Sequence, residues 1–152
     1  MTEIERLLAM EAIRKVKAAY FRCMDTKAWG ELHDVFTEDA IFDVRGALEM
    51  PKTEAEYAAE KIITGRADII AYVSKGLNPL ISVHHGHMPE IDILSATEAK
   101  AIWPMSDMLI LPEGSPFRIF RGWGYYTETY TRDDRWRIAT LKLRRLFVRT
   151  ET

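Results

Sequence analysis

Read as a pattern of apolar and polar positions, the chain divides near Asn78 into a helical half and a strand-rich half. In TEIERLLAMEAIRKVKAAYFRCMD, Ile13, Val16, Tyr20 and Met24 recur at helical spacing, with Phe21 and Leu8 joining the stripe. This spacing predicts a long amphipathic helix with Thr2 as its cap. The pattern breaks after Asp25. TKAWGELHDVFT, with Trp29, Leu32, Val35 and Phe36 apolar, predicts a second short helix, and TEDAIFDVRG predicts a strand ending at Gly46. TEAEYAAEKIITGRADIIAYVSKGL reads as helix, with Thr53 and Glu56 spaced as a capping box and Gly65 placed to break it in two.

Beyond Asn78 the period changes. PLISVHHGH with EIDIL, EAKAIWPMSDMLIL, FRIFRGWGYYTETYTRD and RWRIATLKLRRLFVR are four strand candidates, the last two joined as a hairpin through TRDDRW. Gly86, Gly122 and Gly124 are candidate bulge or bend positions. Helices first and a meander of long strands afterwards predict an α+β fold, with helices packed on one face of a curved antiparallel sheet. Such a sheet forms a cone, closed at one end by the N-terminal helices, whose concave face lines a hydrophobic pocket.

Composition narrows the class without changing this picture. The 152 residues fit a single domain spanning 1–152, and 47% hydrophobic content fits a globular chain with a substantial core. A formal charge of -2 gives no reason to expect nucleic-acid or membrane partners. The single cysteine, Cys23, suits a reducing cytosol, and no apolar run is long enough to span a bilayer. The expectation is a soluble, cytoplasmic protein.

Candidate chemistry concentrates in ISVHHGHMPEIDI. Side chains at i and i+2 of a strand share a face, so His84 points opposite to His85 and His87. Only His85 and His87 could act as a pair, and no clustered Cys, Asp or Glu completes a metal site, so none is expected. On the next strand Trp103, Met105, Asp107 and Leu109 share a face. On the last, Ala139, Leu141, Leu143, Arg145 and Phe147 make an apolar row with one cation, the better pocket wall. A cation buried there requires an anion, which Asp107 or Asp25 could provide. Singly, each has an ordinary alternative: Tyr20 as core, Asp25 as a solvated helix end, His84 as a satisfied strand histidine, Arg145 as a surface charge.

The order of elements resembles the SnoaL-like branch of the NTF2-like superfamily, the cone-shaped α+β barrels, over nearly the whole chain. Within that branch AYFRCMDTKAWGEL, SVHHGHMPEIDI, the Trp-x-x-x-Asp spacing of WPMSD and GWGYYTETY resemble the bile acid 7α-dehydratase family. The resemblance implies a site of Tyr20, Asp25, His84, Asp107 and Arg145. The alternation of the strands had separately set apart His84 and Arg145. LNPLI and LPEGSPFRIFRG are unlike the bile acid enzymes and are expected at the pocket mouth.

What this implies is a cofactor-independent lyase: a dehydratase for a hydrophobic hydroxy-carbonyl compound such as a steroid or bile acid. Asp25 would orient His84 as the base, Tyr20 would donate to a substrate oxygen, and Asp107 and Arg145 would orient that donor and set the field. Met24, Trp103, Met105, Leu141, Leu143 and Phe147 would wall the pocket. An isomerase of the ketosteroid type, a polyketide cyclase, or a non-catalytic binding or scaffold subunit are the alternatives, since fold does not fix chemistry. Apolar Ile119, Trp123 and Tyr125 on the sheet's far side predict a homo-oligomer, dimer or trimer. His85 and His87 are expected to be structural.

Overall fold

The computed structural model describes residues 1–47 and 61–152. Helix α1 (Glu3–Thr26) starts where its sequence says it should: Thr2 Oγ1 accepts from the Glu5 N–H at 3.2 Å, and the Glu5 carboxylate accepts from the Thr2 N–H at 2.6 Å. Its inward stripe is Ala9, Ile13, Lys17, Tyr20 and Met24, with Phe21 and Cys23 beside it. Leu8 does not belong to that stripe. It is 65% exposed with Ile4 and Leu7, because Ala9, roughly 100° round the helix, takes the inward position.

A 3-10 helix (Trp29–Asp34) buries Leu32 and leads into β1 (Phe36–Asp43). The expected capping box at Thr53 and Glu56 lies outside the described residues. Ile62–Thr64, read as helical, instead forms a short strand, β2, paired antiparallel with β1. Gly65 then turns the chain at φ 95°, a left-handed conformation that favours glycine, and helix α2 (Arg66–Leu77) follows. The break at Gly65 is therefore real, but it separates a strand from a helix.

The remaining strands are β3 (Ile81–Gly86), β4 (Glu90–Ile93), β5 (Glu98–Ile110), β6 (Ile119–Arg132) and β7 (Trp136–Glu151). They form one curved sheet in the order β2-β1-β7-β6-β5-β3, with β4 also paired to β5. Among the described residues all strand pairs are antiparallel except one: β1 runs parallel to β7. The expected all-antiparallel sheet is thus mixed. The long crossover between β1 and β7 permits a parallel pairing that no short turn could make.

Two register shifts between β6 and β7 decide which side chains face inward. Thr129 pairs with Thr140 and Tyr130 with Ile138, so Ala139 is an extra residue; Trp123 pairs with Phe147 and Gly124 with Arg145, so Leu146 is another. Ile138, Leu141, Leu143 and Arg145 are buried, while Phe147 is 58% exposed. Phe147 therefore leaves the row in which simple alternation placed it, because the extra residue at Leu146 reverses the parity. Ala139 leaves that row as well, being itself a bulge residue. Phe147 packs on Trp123 across the outer face, ring centroids 5.3 Å apart. Tyr125, Ile102 and Leu146 extend that exposed patch, with Ile119 partly buried.

Among the described residues, no helix is long and apolar enough to cross a membrane. The core between α1 and the sheet contains Ile13, Leu32, Phe36, Ile69, Ile138 and Leu141.

Candidate functional site

The C-terminal turn of α1 abuts β3, where Ser82 and His84 share the inward face opposite Leu109 and Asp107. The Asp25 carboxylate grips His84 twice. One oxygen accepts from the His84 backbone N–H at 2.8 Å and the other lies 2.6 Å from Nδ1. An ionised carboxylate only accepts, so Nδ1 carries a proton, and in the neutral ring Nε2 is the nitrogen with the lone pair. Burial pushes the Asp25 carboxyl up, but the hydrogen bonds from the His84 ring and backbone outweigh it and hold the group below its ordinary value. Phe21 stacks on the imidazole, centroids 6.3 Å apart and planes within 14°.

Behind His84, Asp107 Oδ2 lies 3.9 Å from Nε2 and is ion-paired to Arg145. The anion that the buried Arg145 requires is therefore Asp107. Arg145 also donates to the Ala47 carbonyl. Gly122 makes this pair sterically possible. A Cβ there would run into Asp107 Oδ1 and Arg145 Nε, two buried polar atoms with no hydrogen-bond partner among the described residues. Gly124 sits at a bulge, as its position suggested, whereas Gly86 makes room for the Phe21 ring.

Tyr20 meets Tyr126 edge to face, centroids 6.0 Å apart. Both phenols are pushed up from their ordinary value, chiefly by burial, so both stay protonated in the physiological range. Below them lies a dry polar chain: Lys17 is ion-paired to Glu128, Tyr130 donates to Glu128, and Trp103 Nε1 donates to the Tyr130 hydroxyl at 3.0 Å. The Lys17 ammonium also stands 3.6 Å from the Tyr126 ring centroid and 4.4 Å from that of Tyr20. Burial brings it down to about 8, against the opposing pull of Glu128.

These groups border a cavity of about 520 Å³. Tyr20, Met24, His84, Leu143 and Arg145 line it, together with Tyr126, and Asp107 backs it through His84 and Arg145. Much of the apolar wall comes from residues not foreseen there: Phe42 of β1, Tyr72, Val73 and Leu77 of α2, and Leu109 of β5. Lys61 and Lys75 also line it. Leu80, in the LNPLI segment, does border the cavity.

Trp103, Met105 and Leu141 face inward as expected but are buried in the core beneath the cavity. Trp103 is committed to Tyr130, and Leu141 lies two residues deeper in the cone than Leu143. Phe147 is on the outer face. His85 and His87 point away from the site, and His87 Nε2 lies 3.1 Å from Ser106 Oγ. Among the described residues, no three His, Cys, Asp or Glu side chains converge as metal ligands.

Tyr126, Lys17 and Glu128 are the participants that sequence reasoning missed. The signal was present in β6, where Gly122, Gly124, Tyr126, Glu128 and Tyr130 alternate along one buried face. A buried row of that composition has to be compensated by polar partners across the core.

The SnoaL-like domain model matches residues 5–142. A type 2 hexachlorocyclohexane dehydrochlorinase superposes with a TM-score of 0.82 at 18% identity, covering 99% of this chain and 94% of that one. A candidate scytalone dehydratase from Novosphingobium aromaticivorans gives 0.82 at 20% identity, covering 99% and 93%. A Kribbella flavida protein gives 0.82 at 15% identity, covering 95% of each chain. At these identities the likeness is one of fold.

Proposed function

We propose, from the premise that the chain belongs to the SnoaL-like domain family, that it is a cofactor-independent lyase. Its reaction is the removal of water from a hydrophobic hydroxy-carbonyl compound. One observation carries the reading: the Asp25–His84 pair commits Nδ1 and leaves Nε2 as a base beside an apolar cavity that also presents two protonated phenols. Two of the similar structures bear names of elimination enzymes, a dehydrochlorinase and a candidate scytalone dehydratase, and this supports the class.

In this reading Nε2 removes a proton from a carbon activated by the substrate carbonyl. The C–H electron pair becomes a C=C bond, the neighbouring C–O bond breaks, and the hydroxide takes a proton and departs as water. Asp25 holds the imidazole in the required tautomer and stabilises the imidazolium as it forms. Tyr20 and Tyr126, both protonated and both lining the cavity, can donate a proton to a substrate oxygen. Loss of such a donor in an enclosed site costs about 2.7–4 kcal/mol of barrier. Asp107 balances the imidazolium, and Arg145 holds Asp107 in place.

A cavity of about 520 Å³ suits a compact polycyclic substrate. We assign the substrate to flat, steroid-like hydroxy-enones of the bile acid type. The exposed patch around Trp123, Tyr125 and Phe147 supports assembly as a homo-oligomer.

Mass spectrometry of the purified protein with a panel of hydroxylated 3-oxo-4-ene steroids tests the reading, with His84→Ala as control. Loss of one water from substrate, absent with the variant, is the expected result. Retained mass with a shifted double bond would replace dehydration by isomerisation at the same base, and an unaltered substrate would reject the steroid class.

A further inference from the structure

We propose that Lys61 and Lys75 are specificity-determining residues that bind the carboxylate of an amphipathic substrate, so that the cavity takes a hydrophobic acid as its anion in preference to a neutral compound. The proposal rests on this cavity being the lyase site above, and names the substrate class it serves.

The cavity has two chemically different ends. His84, Tyr20 and Tyr126 form a buried end: the His84 side chain is 6% exposed, and the tyrosines are 1% and 2% exposed. Lys61 and Lys75 line the same cavity yet are exposed, so they stand where it opens to water. Phe42, Leu77, Leu109 and Leu143 supply apolar wall. A substrate with its hydroxy-carbonyl end at His84 and its body along that wall brings its far end toward the lysines.

The backbone explains why both lysines reach the cavity. Phe42 of β1 pairs with Ile63 of β2, and paired residues share a face of the sheet. Lys61 stands two residues before Ile63 and falls on that same inward side. In α2, Lys75 follows Tyr72 by three positions, which places the two on one helix face, and both line the cavity.

The charges then single the pair out. The described lining holds the cations Lys61, Lys75 and Arg145 and no Asp or Glu, although the whole chain has slightly more acidic than basic residues. Arg145 is neutralised by Asp107. Lys61 and Lys75 make no ion pair or side-chain hydrogen bond among the described residues. Each has an ordinary role open to it. A lysine stem can cover apolar surface with its ammonium in water, and Lys75, in the last turn of α2, complements the helix carbonyls. Neither role accounts for two unpaired cations opening onto one cavity whose described lining carries no carboxylate. An anion approaching a chain of net charge -2 also meets a repulsive field, which two cations at the mouth reverse locally. A neutral compound gains nothing from them.

Equilibrium dialysis of the full chain tests this with two probes. One is a 3-oxo-4-ene steroid with a side-chain carboxylate and no hydroxyl to eliminate; the other is its methyl ester. Neither can lose water, so binding is read apart from chemistry. At neutral pH the acid is an anion, since a carboxyl group titrates near ~4. An exposed ion pair is worth about 1.4- to 5-fold in affinity, so two should favour the acid over the ester on the order of tenfold. Lys61→Gln or Lys75→Gln should each cut that preference about threefold, and the double variant should abolish it. Lys61→Glu with Lys75→Glu should reverse it. Raising the salt from about 0.01 M to about 1 M shortens the screening length from about 30 Å to about 3 Å and should erase it in wild type. Lys100→Gln, which removes a lysine from the outer face of β5, should leave it intact. Because Lys61 and Lys75 are exposed, the variants should keep the wild-type melting curve by circular dichroism. Equal affinity for acid and ester, a preference that survives the double variant, or no binding of either probe overturns the proposal. An acid preference with no dehydration of any hydroxylated analogue keeps the anion site and rejects the lyase reading instead. Dehydration of neutral hydroxy-enones without an acid preference does the reverse.

Discussion

Replacing Lys17 by methionine tests the dry polar chain beneath the site. The substitution keeps the length and apolar stem of the side chain and deletes its ammonium. Glu128, only 1% exposed, then retains Tyr130 as a donor but loses its counter-ion. Breaking a buried pair from one side costs about 3–5 kcal/mol, because a charge is left without compensation. At about 2–4 °C per kcal/mol for a chain of this size, the melting temperature should fall by roughly 6–20 °C. Removing both charges, as Lys17→Met with Glu128→Gln, should cost far less: a neutral amide still accepts from Tyr130, and replacing a whole buried pair is often close to neutral. The coupling between the two sites is therefore expected to exceed about 2 kcal/mol. Urea unfolding of the three variants, followed by circular dichroism, measures it. A single variant within about 1 kcal/mol of wild type, or a double variant as costly as the sum of the singles, would refute the reasoning. The same residue predicts a pH dependence. The folded Lys17 value, about 8, lies below the ~10.4 of an unfolded lysine, so between these values the unfolded chain holds more protons. Its contribution is full above the unfolded value and is lost as pH falls through about 8. Wild type should gain stability between pH 8 and about 9.5, and Lys17→Met should lack that slope.

Gly122→Ala should fold, as judged by circular dichroism, yet lose activity on the order of a hundredfold, because the added methyl occupies the space of the Asp107–Arg145 pair. Retained turnover would show that the pair is dispensable. Asp25 lies below the usual carboxylate value in the folded chain, so its contribution is present above ~4 and is lost as pH falls through the folded value. Asp25→Asn should therefore flatten the acid limb of the stability profile, measured by urea melts below pH 5, and should abolish turnover. Of the six tyrosines, Tyr20, Tyr126 and Tyr130 are pushed well up by burial. A spectrophotometric titration should show these three silent near pH 10 and ionising only as the fold is lost.

Much of this architecture was legible because local signals and global pattern agree. The capping box at Thr2 and Glu5, the periodicity through Ile13, Tyr20 and Met24, and the hairpin at TRDDRW each depend on residues close in sequence. His84 separated from its neighbours because strand alternation is a strict geometric rule. What was not legible depends on contacts distant in sequence. The bulge at Leu146 that expels Phe147 has no local signature, since it is a mismatch between two strands. Apart from Met24, the pocket wall was assigned to the sheet, because nothing in the sequence of the second helix says that Tyr72, Val73 and Leu77 close over the cone. Lys17 was hidden for a different reason. A lysine on an apolar stripe reads as a boundary residue until its partner, more than a hundred positions away, is known.

The two extra residues of β7 give that strand something like a reading frame. Between Ala139 and Leu146, the odd positions Leu141, Leu143 and Arg145 are buried while Lys142 and Arg144 are exposed. Closing the first bulge with every residue retained, so that Ala139 paired with Thr129 while Trp136 and Ile138 kept their partners, would shift that frame. It would turn Lys142 and Arg144 into the cone and place Leu141, Leu143 and Arg145 on the outside. The cavity would then exchange an apolar wall with one paired guanidinium for two unpaired cations, with every side chain chemically unchanged. Chemistry on this strand is thus encoded jointly by residue identity and by phase. Any redesign of the cavity has to count positions from each bulge, because a count from the start of the strand gives the wrong face.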